Sequence, residues 1–144
     1  MSSKQKTTQD NEAYASRLNS SVTHLIRRIR RIDESQGIGR ARLSALAVLH
    51  FGGPCTMTEL AGAELVTTTT MHHVVKALIQ DRLVRKIPDR RDKRRQIIHL
   101  TRKGRQAIVK AHQDRIGFLA NLLEGQASRR VAEAIALLEA LERT

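Results

Sequence analysis

Aromatic side chains are nearly missing from this 144-residue chain, which has no Trp, one Tyr (Tyr14) and two Phe (Phe51 and Phe118). A core must therefore come from Leu, Ile, Val and Ala, a composition that favours helices, and 40% hydrophobic content is enough for a single domain of this size. One cysteine, Cys55, excludes an intramolecular disulfide framework and a Cys-rich zinc site, and fits a reducing compartment. With no adjacent base to activate it, Cys55 reads as a small buried or half-buried residue. The histidines His24, His50, His72, His73, His99 and His112 lack the paired spacing of a ligand motif, so neither metal nor cofactor is expected. No run approaches the roughly 18 apolar residues of a membrane span, and MSSKQKTTQDNEA lacks the apolar segment of a signal peptide, so a soluble, cytoplasmic protein is expected. No Ser/His/Asp, Cys/His or paired-carboxylate arrangement stands out, so the chain is not read as an enzyme, and Asp33 and Glu34 read as solvated at a helix junction.

Basic charge is what the chain has in excess. A formal net charge of +12 and a pI near 11.2 imply a polyanionic partner, nucleic acid first and an anionic membrane surface second. Eleven Lys and Arg against Asp89 and Asp92 put most of that excess between Arg82 and Arg105. Two β-rich runs, Leu83 to Ile87 and Gln96 to Leu100, bracket the charged stretch Pro88 to Arg95 and predict an antiparallel hairpin with a tip too charged to bury.

Helical periodicity surrounds the hairpin. Leu18, Val22, Leu25, Ile26, Ile29 and Ile32 mark one face of a helix over Tyr14 to Ile32, preceded by residues 1 to about 10, which read as a mobile arm. Gln36 to Gly39 break it, and a second helix follows over Ala41 to Phe51. Thr56 or Thr58 caps a third, short helix ending near Glu64. A fourth, beginning in the Thr67-Thr68-Thr69-Thr70 run and reaching Gln80, buries Met71, Val74, Val75, Leu78 and Ile79. Thr101 caps a long fifth helix, and after Gly125 a last one carries Val131, Ala134, Ile135, Leu138 and Leu141. The expected fold is mainly α with a small β-hairpin: a winged helix-turn-helix over residues 41–101 and terminal helices over 14–32 and 102–142, all in one domain.

In a helix-turn-helix the second helix enters the DNA major groove with its N-terminal residues on base edges. Here that places Thr67, Thr68, Thr69, His72, His73 and Lys76 as DNA-binding candidates, since they lie mainly off the apolar stripe. Arg90, Arg91, Lys93, Arg94 and Arg95 at the hairpin tip would meet the same duplex, because arginine is attracted into narrow minor grooves.

Thr58-Glu59-Leu60-Ala61, the helix from Thr67 to Leu78, and Asp92-Lys93-Arg94 followed by Ile97-Ile98-His99-Leu100-Thr101 and Gly104 together resemble the MarR family of winged helix-turn-helix transcriptional regulators, over roughly residues 14 to 142. The resemblance implies that Asp92 pairs with arginine to hold the wing tip and that Arg94 enters the minor groove. His72-His73 departs from the Thr-Arg pair expected there, and histidines at the groove would make binding sensitive to pH between about 6 and 7. The resemblance further implies a homodimer built by the terminal helices on a pseudo-palindromic operator, and a repressor released by a small aromatic or phenolic anion. His24, Arg27, Arg28, His50 and Phe51 are the positions offered for that effector. The alternative reading is a non-specific nucleic-acid or nucleoid-associated protein using the same basic wing.

Overall fold

The computed structural model describes residues 3–35 and 37–143. Helix α1 spans Ser3–Ser35, α2 Arg40–Phe51, α3 Met57–Ala63, α4 Thr68–Gln80, α5 Arg102–Leu123 and α6 Ser128–Glu142; the strands are β1 Cys55–Thr56, β2 Val84–Pro88 and β3 Gln96–Leu100. The mainly helical fold with a small β-hairpin is thus as expected, with α3 and α4 as the helix-turn-helix and β2–β3 as the wing.

Besides Ile79 of α4, expected in the buried stripe but 39% exposed, three features differ from expectation. α1 begins at Ser3, so residues 3–10 are helical where an irregular arm was expected. That segment lacks apolar periodicity, yet no Gly or Pro precedes Gly37 to stop the helix. Residues 1 and 2 of the expected arm, and Gln36 of the expected break, lie outside the described residues. The second difference is β1, two residues that pair with β3 (Cys55 opposite Ile98, Thr56 opposite Ile97) and complete a three-stranded antiparallel sheet of order β1-β3-β2. So short a strand leaves no periodicity to detect. The third is Asp33: far from solvated, it is 5% exposed, and Arg115 of α5 donates to both its oxygens at 2.6 and 2.8 Å. This bidentate pair ties the end of α1 to the middle of α5.

Among the described residues, every buried hydrophobic side chain lies between Leu43 and Ala111. Leu43, Leu46, Leu60, Met71, Val75, Leu78 and Ile98 meet in one cluster where α2, α3, α4 and the sheet converge. The junctions around this core are made by polar caps. Thr56 forms a capping box with Glu59, each side chain satisfying the other's backbone N–H. Thr67 and Thr101 cap α4 and α5 through the N–H groups of Thr70 and Gly104. The turn from α3 into α4 passes through Leu65 at φ 53°, with the Val66 N–H bonded to the Ala61 carbonyl. Arg82 at φ 59° closes α4 in the same way, placing the Leu83 N–H on the Leu78 carbonyl. These turns fix where α4 starts and stops.

Gly104 has a separate reason to be glycine. A Cβ there would sit 2.0 Å from the Leu83 carbonyl oxygen, which already accepts from the Thr101 N–H and hydroxyl. The Leu-Thr-x-x-Gly motif after the wing therefore records how closely the first turn of α5 approaches the start of β2.

Candidate nucleic-acid interface

α4 buries Met71, Val75 and Leu78 and leaves Thr68, Thr69, His72, His73 and Lys76 exposed, so the predicted DNA-facing residues share an open surface. Thr67 is occupied structurally: its hydroxyl caps the Thr70 N–H at 3.2 Å and lies 2.9 Å from the Thr70 hydroxyl. The C-terminal end of the helix is held from two sides. Lys103 Nζ donates to the Asp81 carbonyl at 2.9 Å, and the Arg42 guanidinium pairs with the Asp81 carboxylate. Lys103 and Arg42 thus hold the end of α4, and part of the basic segment is spent on architecture.

The wing tip is shaped by its two acids. Asp89 Oδ1 accepts the Arg91 N–H at 2.8 Å and Asp92 Oδ1 accepts the Arg94 N–H at 3.0 Å, while the Asp89 N–H and Arg95 carbonyl close the loop at 2.9 Å. Among the described contacts Asp92 steadies the tip through the backbone, not through the arginine side-chain pair expected. The two carboxylates turn the chain twice and leave Arg90, Arg91, Lys93 and Arg94 exposed around it. Arg95 is also exposed, but its guanidinium lies 3.9 Å from Glu59. The Glu59 carboxyl is held below its ordinary value by the Thr56 N–H and hydroxyl, with Arg95 adding a smaller share. Cys55 is half-buried, as expected, and its thiol is pushed up first by burial and then by the Glu59 charge, so it is a poor nucleophile.

Between α3, α4 and the wing runs a cleft of about 530 Å³ lined by Thr58, Glu59, His72, Lys86, Arg94 and Gln96 among others. A second hollow of about 410 Å³ follows on the other side, where His72 and Lys86 meet His73, Lys76 and Gln80. Thr58, Lys86 and Gln96 were not among the residues expected from the sequence to face DNA. Alternation along β2 carried the signal for Lys86, because it puts Lys86 on the same face as the buried Val84.

The effector candidates are not gathered at one place by the described contacts. Arg28 lies over the Phe118 ring at 5.2 Å, while Phe51, 69% exposed, makes edge contacts with His50 at 4.8 Å and His112 at 5.9 Å. A cavity of about 250 Å³ does open between α1, α2 and α5, but it is lined by Arg30, Asp33, Arg40, Ser44 and Arg115 with Ile26 and Ile29. No group of three or more His, Cys, Asp and Glu suited to a metal is found among the described residues, and no described helix is long and apolar enough to cross a membrane.

Residues 36–95, from the α1–α2 junction to the wing tip, match the sequence model of the MarR family. Over that stretch the chain resembles the MarR family. It is 36% identical over 74 residues to the HTH-type transcriptional regulator PetP of Rhodobacter capsulatus, a match spanning 51% of this chain and 45% of that protein's length. The fold agrees over a longer stretch. A MarR family protein from Bacillus stearothermophilus superposes with a TM-score of 0.83 at 24% identity, covering 96% of this chain and 95% of that one. A mutant of MepR from S. aureus, solved bound to an oligodeoxyribonucleotide, gives 0.68 at 18% identity over 90% and 96% of the two chains. The MarR match takes in α2, α3, α4, β2 and the wing tip, the elements that carry the exposed basic face.

Proposed function

We propose that this chain is a sequence-specific DNA-binding transcriptional regulator that works as a homodimer, most simply a repressor released by a small effector. One observation carries the reading. The polar face of α4 and the arginine-rich wing tip stand exposed on either side of a single cleft, so one duplex can take the helix in its major groove and the tip in the adjacent minor groove. On this reading Thr68, Thr69, His72, His73 and Lys76 read bases or nearby phosphates, Arg94 enters the minor groove, and Arg90, Arg91 and Lys93 supply affinity without much sequence information. Thr67 and Arg95 act mainly by holding α4 and the wing base.

The dimer is supported by apolar faces that the chain does not cover by itself. α6 has no buried residue; Ile135 and Leu138 stand about half exposed beside Leu123 of α5 and Leu25 of α1 along an apolar groove, and Leu141 is about half exposed further along α6. A second copy burying these faces would present two recognition helices to a pseudo-palindromic operator with half-sites about one helical turn apart. For the effector, the arginine-lined cavity between α1, α2 and α5 is a better container than the five residues first considered, because it is a continuous space where the terminal helices meet the DNA-binding lobe.

Selection of bound fragments from random DNA, followed by footprinting, tests the reading. Protection of one short inverted repeat is expected. Uniform coating that disappears with modest salt would contradict it and favour a non-specific nucleoid-type protein.

A further inference from the structure

Lys86 stands apart from the other basic residues of the hairpin. It occupies the middle of β2, opposite Ile98, on the sheet face that carries the buried Val84 and Ile98. Its neighbours Arg85 and Ile87 alternate to the other face. From there Lys86 borders both hollows, the cleft shared with Thr58, His72 and Arg94 and the one shared with His73 and Lys76. Among the described residues it has no hydrogen bond or ion pair. Glu59 also lines the cleft, but its carboxylate accepts the Thr56 N–H at 2.7 Å and the Thr56 hydroxyl at 2.8 Å, with Arg95 at 3.9 Å beyond it. The acid is committed to the protein, and the ammonium is not.

Duplex geometry gives that placement a meaning, and the argument rests on the DNA-binding reading above. A helix in a major groove and a loop tip in the neighbouring minor groove are separated by one sugar–phosphate strand. That strand must cross the surface between α4 and the wing, which is the cleft. We infer that Lys86 binds the phosphodiester of this dividing strand, with the Thr58 hydroxyl and the His72 ring beside it, and so sets the register between recognition helix and wing. Lys86 is a phosphate ligand in this arrangement and carries no base preference.

The test uses the full chain and a duplex that the wild-type protein selects from random DNA. Lys86→Gln is expected to weaken binding about five- to tenfold near 0.1 M salt and to lower the salt-dependence slope by about one, leaving the rank order of operator variants unchanged. Lys86→Arg is expected to keep the slope. Ethylation of the phosphate between the helix and wing footprints should block the wild type and not Lys86→Gln, a readout on the wild type that does not depend on how well a variant folds. An unchanged slope in Lys86→Gln, a reordered set of operators, or indifference of the wild type to that ethylation would overturn the inference alone. A wild type that selects no duplex would overturn the DNA-binding reading with it.

Discussion

The winged helix-turn-helix lobe and the terminal helices of this chain are built to different standards of completeness. From α2 to the first half of α5, Leu, Met, Val and Ile side chains close into one buried cluster, and each junction is capped by Thr, by a left-handed turn or by an ion pair. In α6 the side chains of Ile135, Leu137, Leu138 and Leu141 stay about half exposed, and along α1 Tyr14 is 65% exposed and Leu18 40%. Apolar surface left in water forgoes about 25 cal/mol per Å² that burial would return, so helices of this kind lean on a partner surface. The lobe closes its own core; in the proposed dimer the terminal helices would bury their apolar faces against a second copy.

Removing the chain after Gly117 is the hardest test of that contrast, because it deletes α6 and the end of α5. A monomer by light scattering is expected, and a persistent dimer would move the interface into the lobe. Next in size, Leu46→Ala, at a fully buried position, should cost about 2 to 5 kcal/mol in denaturant unfolding at every protein concentration. Leu138→Ala should instead make the melting temperature depend more steeply on protein concentration, since its contacts would come from the partner. Equal behaviour of the two variants would erase the distinction. Asp33→Ala strands Arg115 at the joint between α1 and α5; because Arg115 is partly exposed, the cost should be about 1 to 3 kcal/mol, below that of a fully buried pair, and hydrogen exchange should rise in α1 before α4.

Thr56→Ala should have the smallest effect, about 1 kcal/mol, as it removes the capping box of α3. Its pH dependence sharpens the prediction. Glu59 titrates below its ordinary value in the folded chain, so its contribution is in place above the ordinary glutamate range, near about 4.3, and is lost as pH falls through the lowered value. The gap between wild type and Thr56→Ala in thermal melts should therefore narrow on acidification towards about pH 3. A gap that widens would contradict the capping role.

Much of this was legible in the residues because the period of the apolar side chains follows from which surface each element buries. α2, α4 and the wing strands bury one face against the core, and their spacing announced them. The N-terminal part of α1 has no such face, so its helicity left no pattern, and β1 is two residues long. The Asp33–Arg115 pair joins residues 82 positions apart, and no local signal connects them. At the interface, the exposed threonines and histidines of α4 and the arginines of the tip followed from composition and order. The role of Asp92 as a backbone acceptor, the engagement of Lys103 with Asp81 and the placement of the exposed Lys86 on the sheet face of Val84 and Ile98 depend on side-chain direction, which alternation constrains but charge counting ignores.

If α4 and the wing read one duplex together, hydroxyl-radical and dimethyl sulfate footprinting of wild type and Arg94→Ala on the selected operator should separate their contributions. Two protected blocks about one helical turn apart are expected, each with a flanking minor-groove hydroxyl-radical protection that disappears in Arg94→Ala, while protection of major-groove guanine N7 from dimethyl sulfate by α4 persists. Identical footprints for the two proteins, or loss of every protection at once, would contradict that joint reading.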